Sequence, residues 1–310
     1  MSASAIILEA PGALSLRTLS LAPTQNSDVV VDIAWSGISS GTERLLWEGR
    51  MPSFPGMGYP LVPGYESVGR IVDAGADARG RIGEWVFVPG ANCYEGARGL
   101  FGGSSSRVVV PSARVIPVPE SLGARGILCA LAATAQHAIA GYAAPDLIVG
   151  HGVLGRLLAR VTIASGAPAP TVWETNSVRC DGAQGYVVTA AEHDERRDYR
   201  AIYDASGAEG LTDTLIMRLA RGGELVLAGF YTQPISFTFP PAFMREARIR
   251  IASEFLPADM AAVSAMLDSG ALDLDGLVTD VRPVGDFETA YPQAFTDPAC
   301  LKMVLDWSSL

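Results

Sequence analysis

The sequence has few cysteines and no long apolar run, and each scarcity excludes a class of protein. The four cysteines are Cys93, Cys129, Cys180 and Cys300. They lie far apart and form no CxxC pair, which excludes a disulfide framework and a recognisable zinc cluster. Apolar stretches such as Ile127–Ala135 fall short of the roughly 20 residues that cross a bilayer. We therefore expect incidental thiols and no transmembrane segment.

Positive charge is also scarce, and the formal net charge is -10. Nucleic-acid binding depends on Lys and Arg side chains that neutralise phosphates, so this balance argues against a nucleic-acid partner. The first residues carry no basic segment ahead of an apolar one, which argues against a signal peptide and favours a cytoplasmic protein. A length of 310 residues favours two domains.

The pattern of short apolar runs changes along the chain. The first part is β-rich, with runs such as Asp28–Ala34 punctuated by Gly and Pro. Strand and helix patterns alternate after it, which is typical of a doubly wound parallel sheet of the Rossmann type. We predict an α/β fold in which residues 122–255 form this domain, inserted into a β-rich domain made of 1–121 and a return segment, 256–310.

One strand and one helix pattern enclose a glycine loop. The predicted strand Asp146–Val149 precedes the loop, and the helix pattern Val153–Ser165 follows its glycines. The loop consists of Gly150, His151, Gly152, Val153, Leu154 and Gly155. Glycines at these spacings permit the tight turn, the approach of a pyrophosphate and close helix packing. Because a helix N-terminus attracts phosphate, we predict a dinucleotide site here.

Glu174 follows the next predicted strand and narrows the choice of dinucleotide. A carboxylate there accepts hydrogen bonds from the adenosine ribose and repels a 2′-phosphate, which favours NAD over NADP. Arg179 is close in sequence and leaves NADP as an alternative cofactor. Gly229 and Phe230 end a later strand, and we expect them beside the nicotinamide.

Two stretches of the first domain, Ser36–Glu43 and Pro63–Gly69, together with the glycine loop resemble the medium-chain dehydrogenase/reductase superfamily. The resemblance implies a GroES-like catalytic domain around the inserted Rossmann domain. Zinc-dependent members have a Cys and a His ligand in these stretches, where this chain has Ser39 or Ser40 and Tyr65. A third ligand position falls on Ala130. Because catalytic zinc needs three protein ligands, we predict no metal.

A further run, residues 49–66, is similar to members of that superfamily that act in bacteriochlorophyll biosynthesis. The resemblance implies NAD-dependent oxidation of the 3-(1-hydroxyethyl) group of a bacteriochlorophyllide, a tetrapyrrole, to 3-acetyl. A flat apolar pigment suits aromatic and Met side chains. The expected substrate contacts are Met51, Phe54, Met57, Tyr59 and Tyr231. A well-packed loop is the alternative reading of this run, and Arg44, Arg50, Arg245 or Arg248 could pair with the pigment's propionate.

Without zinc, a side chain must relay the proton of the alcohol. Thr42 is the first candidate, because superfamily relatives place a hydroxyl at the matching position. Tyr65 is the second, although its pKa near 10 would have to fall. Glu43 and Glu66 match acidic residues that brace the site in relatives, and His137 is either a relay group or a core histidine. His151 either touches the cofactor or fills the turn.

Two other functions stay open at this point. Other zinc-free members of the superfamily reduce quinones or enones with NAD(P)H, against which Glu174 weighs. A non-catalytic dinucleotide-sensing protein is the second alternative, against which the retained Gly-Thr-Glu and Gly-Tyr-Glu elements weigh. The sequence does not reveal the oligomeric state, although relatives in the superfamily commonly pair through the edge of the nucleotide-domain sheet, so a homodimer is one option.

The missing ligands lead to a direct prediction about metal content. We expect the purified protein to contain well below one zinc per chain, measured by inductively coupled plasma mass spectrometry after dialysis. A known zinc-dependent member of the superfamily, purified in the same way, serves as the control. Stoichiometric zinc would overturn the argument from Ser39, Ser40, Tyr65 and Ala130.

Overall fold

A computed structural model describes residues 1–53 and 55–310. They form two compact units, one made of Met1–Cys129 with Asp275–Leu310 and one made of Ala130–Leu274. Both breaks fall later than the expected boundaries, after 121 and 255. Phe54, an expected substrate contact, lies outside the described residues. No described helix has the length and apolarity that spanning a membrane requires.

Strands and short helices alternate along the chain. The strands are β1 Ser2–Ala10, β2 Ala13–Ser20, β3 Asp28–Ile38, β4 Ser67–Ala74, β5 Trp85–Val88, β6 Arg107–Pro111, β7 Ile116–Pro117, β8 Leu147–Val149, β9 Thr171–Trp173, β10 Val187–Thr189, β11 Tyr199–Asp204, β12 Leu219–Leu227, β13 Arg248–Ile251, β14 Asp280–Pro283 and β15 Met303–Asp306. The α-helices are α1 Thr42–Trp47, α2 Cys129–Ile139, α3 Val153–Ala164, α4 Thr212–Ile216, α5 Phe239–Arg245, α6 Pro257–Asp268 and α7 Phe287–Thr296.

The first unit is built on β-strands from both ends of the chain. Its larger sheet has the order β14-β15-β3-β4-β5-β7, with β6 also paired to β3, and β1 and β2 form a separate hairpin. Strand β15 pairs antiparallel with β3. The C-terminal segment therefore completes the sheet that the N-terminal segment begins, as a return segment requires.

The second unit contains one parallel sheet with the order β10-β9-β8-β11-β12-β13. Numbered from β8, this order is 3-2-1-4-5-6, the order of the Rossmann fold. The order reverses beside β8, so the C-terminal end of β8, where the glycine loop begins, lies at the switch point. Strand β8 is buried throughout because helices cover both faces of such a sheet.

The apolar patterns located most elements of the second unit, but they did not predict helix α5 of that unit or helices α1 and α7 of the first unit. Helix α5 begins at Phe239 and contains two prolines in its first turn, which the fixed φ of proline suits. Its exposed apolar side chains give no amphipathic pattern. Helix α1 has only six residues, too few for a helical period.

Candidate functional site

Three hydroxyl groups meet at the start of α1 in the first unit, and two of them belong to predicted catalytic residues. The Tyr65 hydroxyl donates a hydrogen bond to Ser39 Oγ at 2.8 Å. The Thr42 hydroxyl also bonds to the Tyr65 side chain. The Thr42 amide donates to Ser39 Oγ at 3.3 Å. Because Tyr65 has a single proton and gives it to Ser39, the Thr42 hydroxyl is the donor to Tyr65.

The environment of Tyr65 keeps its hydroxyl protonated. Burial, followed by the nearby carboxylate of Glu66, raises the pKa of Tyr65 well above its usual value of 10. This shift is opposite to the lowering that a phenolate base needs. Tyr65 is therefore corrected from a candidate base to a neutral hydrogen-bond donor.

Glu43 is buried behind the hydroxyl groups. Its Oε2 accepts a hydrogen bond from the Ser39 amide at 3.3 Å. Its Oε1 is buried without a hydrogen-bond partner among the described residues. Burial, reinforced by the charge of Glu66, raises the pKa of Glu43 to about 8. Glu43 is thus protonated at neutral pH.

Glu66 forms an ion pair with Lys302, the one lysine of the chain. Lys302 Nζ donates to Glu66 Oε2 at 2.7 Å, and the two side chains are 4% and 0% exposed. Lys302 also donates to the Ile38 carbonyl at 3.5 Å. The prediction that Glu66 braces the site did not include Lys302, because no local pattern connects residues 66 and 302.

The positions of the expected zinc ligands carry no metal donors of the usual kind. Ser39 and Tyr65 bond to one another, and Ala130 is a buried methyl group in the second unit. Among residues 1–53 and 55–310, no group of three or more His, Cys, Asp or Glu side chains could hold a metal ion. Zinc therefore does not fit here, and its absence stays a prediction.

The glycine loop in the second unit has a steric reason for two of its three glycines, Gly150 and Gly155. Gly150 has a φ of +96°, which favours glycine. A Cβ on Gly155 would lie 1.9 Å from the Gly150 carbonyl oxygen, so the start of α3 packs directly on the loop. A Cβ on Gly152 would meet nothing within 4 Å. This open backbone at the N-terminus of α3 fits a pyrophosphate, with Val153 and Leu154 in the first turn.

Glu174 closes the same loop from the end of β9. Its Oε2 accepts from the His151 amide at 2.9 Å, and its Oε1 accepts from the Thr175 and Asn176 amides at 2.7 Å each. With these three bonds, the carboxylate is fixed beside the loop while its residue stays half-buried. A carboxylate oxygen accepts more than one bond, so Glu174 retains capacity for a ribose hydroxyl.

His151 is corrected from a candidate cofactor contact to a turn-filling residue. Its side chain is fully buried, with Nδ1 2.6 Å from the Arg179 carbonyl oxygen and Nε2 2.8 Å from the Tyr186 hydroxyl. Burial lowers the pKa of His151 to about 4, so the imidazole is neutral. Arg156, which donates to the His151 carbonyl at 3.0 Å, fixes the turn from the opposite side.

The other predicted residues of the second unit, Gly229, Phe230 and Tyr231, follow strand β12. Gly229 lies against Gly207, since a Cβ on Gly229 would be 2.9 Å from the Gly207 amide nitrogen. Phe230 is exposed, whereas the Tyr231 hydroxyl donates to the Asp204 carbonyl at 3.3 Å.

His137 has a structural partner on another helix. Its Nδ1 is 2.8 Å from Asp259 Oδ2, which also accepts from the Leu256 amide and so caps α6. His137 therefore joins α2 to α6. This arrangement favours the alternative reading of His137 as a core histidine.

The expected pigment-binding residues differ in burial. Met51 is 7% exposed and packs in a core cluster with Leu46 and Leu61, which corrects it from a substrate contact to a packing residue. Met57 and Tyr59 are half-buried at the edge of that cluster. The Tyr59 hydroxyl donates to the Leu46 carbonyl at 2.6 Å. Part of this run is thus packing, and Met57 and Tyr59 keep an exposed face.

Comparison with known proteins gives one family match and two close relatives. Residues 25–120 match the alcohol dehydrogenase GroES-like domain. The 2-desacetyl-2-hydroxyethyl bacteriochlorophyllide A dehydrogenase of Rhodobacter capsulatus is 58% identical over 310 residues, with 99% of each chain covered. The protein of the same name from Cereibacter sphaeroides is 55% identical over 314 residues, again with 99% of each covered.

The fold is also similar to solved structures. One is a short chain alcohol dehydrogenase from E. coli CFT073 complexed with NADH, with a TM-score of 0.84 and 20% identity. The alignment covers 99% of each chain. At this identity the likeness concerns the fold, and it includes both units.

The buried Glu43 predicts how stability changes with pH. The pKa of Glu43 in the folded chain is about 8, whereas a free glutamate carboxyl has a pKa of 4.5. Between these values the folded state binds more protons than the unfolded state, so the free energy of unfolding falls as pH rises, by at most about 1.4 kcal/mol per pH unit. Urea unfolding measured from about pH 5 to about pH 8 tests this.

Glu43→Gln is the matched variant, because it keeps the shape of the side chain and removes the titration. Its free energy of unfolding should fall less steeply with pH than that of the unchanged protein. Equal slopes for the two proteins would show that Glu43 titrates normally in the folded chain.

Proposed function

The chain belongs to the family of the 2-desacetyl-2-hydroxyethyl bacteriochlorophyllide A dehydrogenases, and we propose that it oxidises the 1-hydroxyethyl group of a bacteriochlorophyllide to an acetyl group. Identity of 58% over the full length of both chains carries this proposal. The reaction removes a hydride from the alcohol carbon and a proton from its oxygen. The proton needs a relay among the chain's own side chains, and the hydride needs an acceptor that the chain binds.

In this proposal the hydroxyl groups of Thr42, Tyr65 and Ser39 relay the proton of the alcohol. The Thr42 oxygen accepts the hydrogen bond of the substrate alcohol. As Thr42 takes the alcohol proton it passes its own proton to Tyr65, Tyr65 passes its own to Ser39, and Ser39 releases its own to a water molecule. Such a line needs no phenolate, which agrees with the raised pKa of Tyr65. Protonated Glu43 and paired Glu66 keep excess negative charge away from a developing alkoxide.

In this proposal the glycine loop binds the cofactor that accepts the hydride. A nicotinamide dinucleotide, when bound, supplies the acceptor for the hydride. We propose that the open backbone at Gly152 and the N-terminus of α3 hold its pyrophosphate, and that Glu174 accepts bonds from its ribose. A reductase of quinones or enones and a non-catalytic sensor are less well supported, because both close relatives are dehydrogenases.

Oxidation of the pigment tests the proposed function directly. The protein, incubated with 3-(1-hydroxyethyl) bacteriochlorophyllide a and NAD⁺, should form the 3-acetyl pigment, followed by its red absorption band. Thr42→Ala should lower kcat by about 100-fold or more, the usual effect of losing a proton-transfer group, without weakening NADH binding. Thr18→Ala, at an exposed position of β2, is the control and should leave the rate unchanged. Absence of acetyl product despite NADH binding would refute the proposed function, and an unchanged rate in Thr42→Ala would remove Thr42 from the relay.

The position of Glu174 predicts a preference for NADH over NADPH. Titration of protein fluorescence should give a lower Kd for NADH, because the carboxylate repels a 2′-phosphate. Glu174→Gln should reduce the ratio of the two Kd values, whereas Glu192→Gln at an exposed site should keep it. Equal affinity in the unchanged protein would contradict the NAD assignment.

We also propose that two copies pair through the second unit. Strand β13 is an edge of the sheet, and its Ile251 is exposed. Helix α5 beside it exposes Phe239, Phe243 and Met244. An edge strand next to apolar side chains suits pairing with a second copy. Light scattering should give twice the chain mass of 32.5 kDa, and Phe243→Asp should give the single mass. A monomeric unchanged protein would refute this pairing.

A further inference from the structure

The segment from Arg98 to Phe101 lies along the run that contains the predicted pigment contacts. The Arg98 amide donates to the Pro60 carbonyl at 2.9 Å, and the Val62 amide donates to the Arg98 carbonyl at 2.8 Å. Further along, the Phe101 ring lies against the Tyr65 ring with centroids 5.5 Å apart. The two segments thus run side by side, and Tyr65 marks the end at which the hydroxyl groups lie.

Between these ends the surface is apolar or bare backbone. Leu100 Cδ1 would lie 3.5 Å from a Cβ on Gly56, so this leucine covers the glycine. Met57 follows and is half-buried. Two residues of chain separate Arg98 from Phe101, so the two Cα atoms are at most about 11 Å apart. Leu100 therefore lies between the Tyr65 end and the Arg98 end.

Arg98 presents a cation at the far end. Its guanidinium lies over Gly58, where a Cβ would be 2.7 Å from Arg98 Nε. The residue is exposed, and within 1–53 and 55–310 its guanidinium has no hydrogen-bond or ion-pair partner. By contrast, Arg44 and Arg50, two arginines expected to face the propionate, both bond to Glu48, at 2.7 and 3.0 Å.

We propose that Arg98 binds the free propionate carboxylate of the pigment and so selects the acid over its ester. The inference rests on the proposed function, since that function supplies the substrate. The substrate has a hydroxyethyl group, an apolar macrocycle and one carboxylate, in the same succession as Thr42 and Tyr65, the Phe101–Leu100 surface and Arg98. Guanidinium is suited to the role because it bonds to carboxylate through two parallel N–H groups.

The test compares the free acid of 3-(1-hydroxyethyl) bacteriochlorophyllide a with its propionate methyl ester. In the unchanged protein kcat/KM should be about tenfold or more higher for the acid, the usual gain from a charge-assisted hydrogen bond. Arg98→Gln should lower kcat/KM for the acid by that factor, mainly through KM, and leave the ester unchanged. Arg98→Lys should restore part of the preference, because it keeps the charge without the planar donors.

Arg79→Gln is the matched control, since Arg79 is an exposed arginine in a different loop of the same unit. It should leave both substrates unaffected, and NADH binding should be equal in all variants. Equal rates for acid and ester in the unchanged protein, or equal losses for both in Arg98→Gln, would overturn the role of Arg98 while the dehydrogenase function stands. Oxidation of neither pigment would overturn both proposals.

Discussion

The buried ion pair between Glu66 and Lys302 is the interaction on which the first unit depends. It joins the residue just before β15, near the end of the chain, to the residue just before β4, and it is closed from solvent. Removal of one partner from such a pair typically costs about 3–5 kcal/mol, because a charge stays buried without compensation. The two charges of the pair act on Glu43 in opposite directions, because the Glu66 carboxylate raises the pKa of Glu43 and the Lys302 ammonium lowers it. One contact thus links the sheet to the electrostatic environment of Glu43.

In the proposed zinc-free mechanism, hydrogen bonds take the role that a metal would otherwise have at the site. A metal would polarise the alcohol oxygen by its charge. Here a serine and a tyrosine occupy two of the ligand positions, and they bond to each other. Because a neutral hydroxyl stabilises an alkoxide less than a dication does, the surrounding carboxyls must not add negative charge. The protonated state of Glu43 and the pairing of Glu66 meet that requirement.

The sequence predicts those structural features that are determined by residues close together in the chain. The turn, the open backbone and the close packing at Gly150, Gly152 and Gly155 follow from glycine spacing alone, and so does the alternation of strand and helix. Contacts between distant residues could not be read in this way. Lys302 reaches Glu66, and Arg98 reaches Gly58, through the pairing of strands and loops that no local pattern specifies. Burial is also a property of the whole fold, which is why the direction of the Tyr65 pKa was missed.

The buried lysine has a consequence for the surface of the molecule. Lys302 is the single lysine of 310 residues, so every other basic side chain is an arginine or a histidine. With that amine enclosed, the folded protein offers no lysine to acylating dyes, amine cross-linkers or enzymes that modify lysine. A label on Lys302 would therefore report that the first unit has opened. Lys302 is thus a chemical probe of unfolding that lies within the ion pair to Glu66.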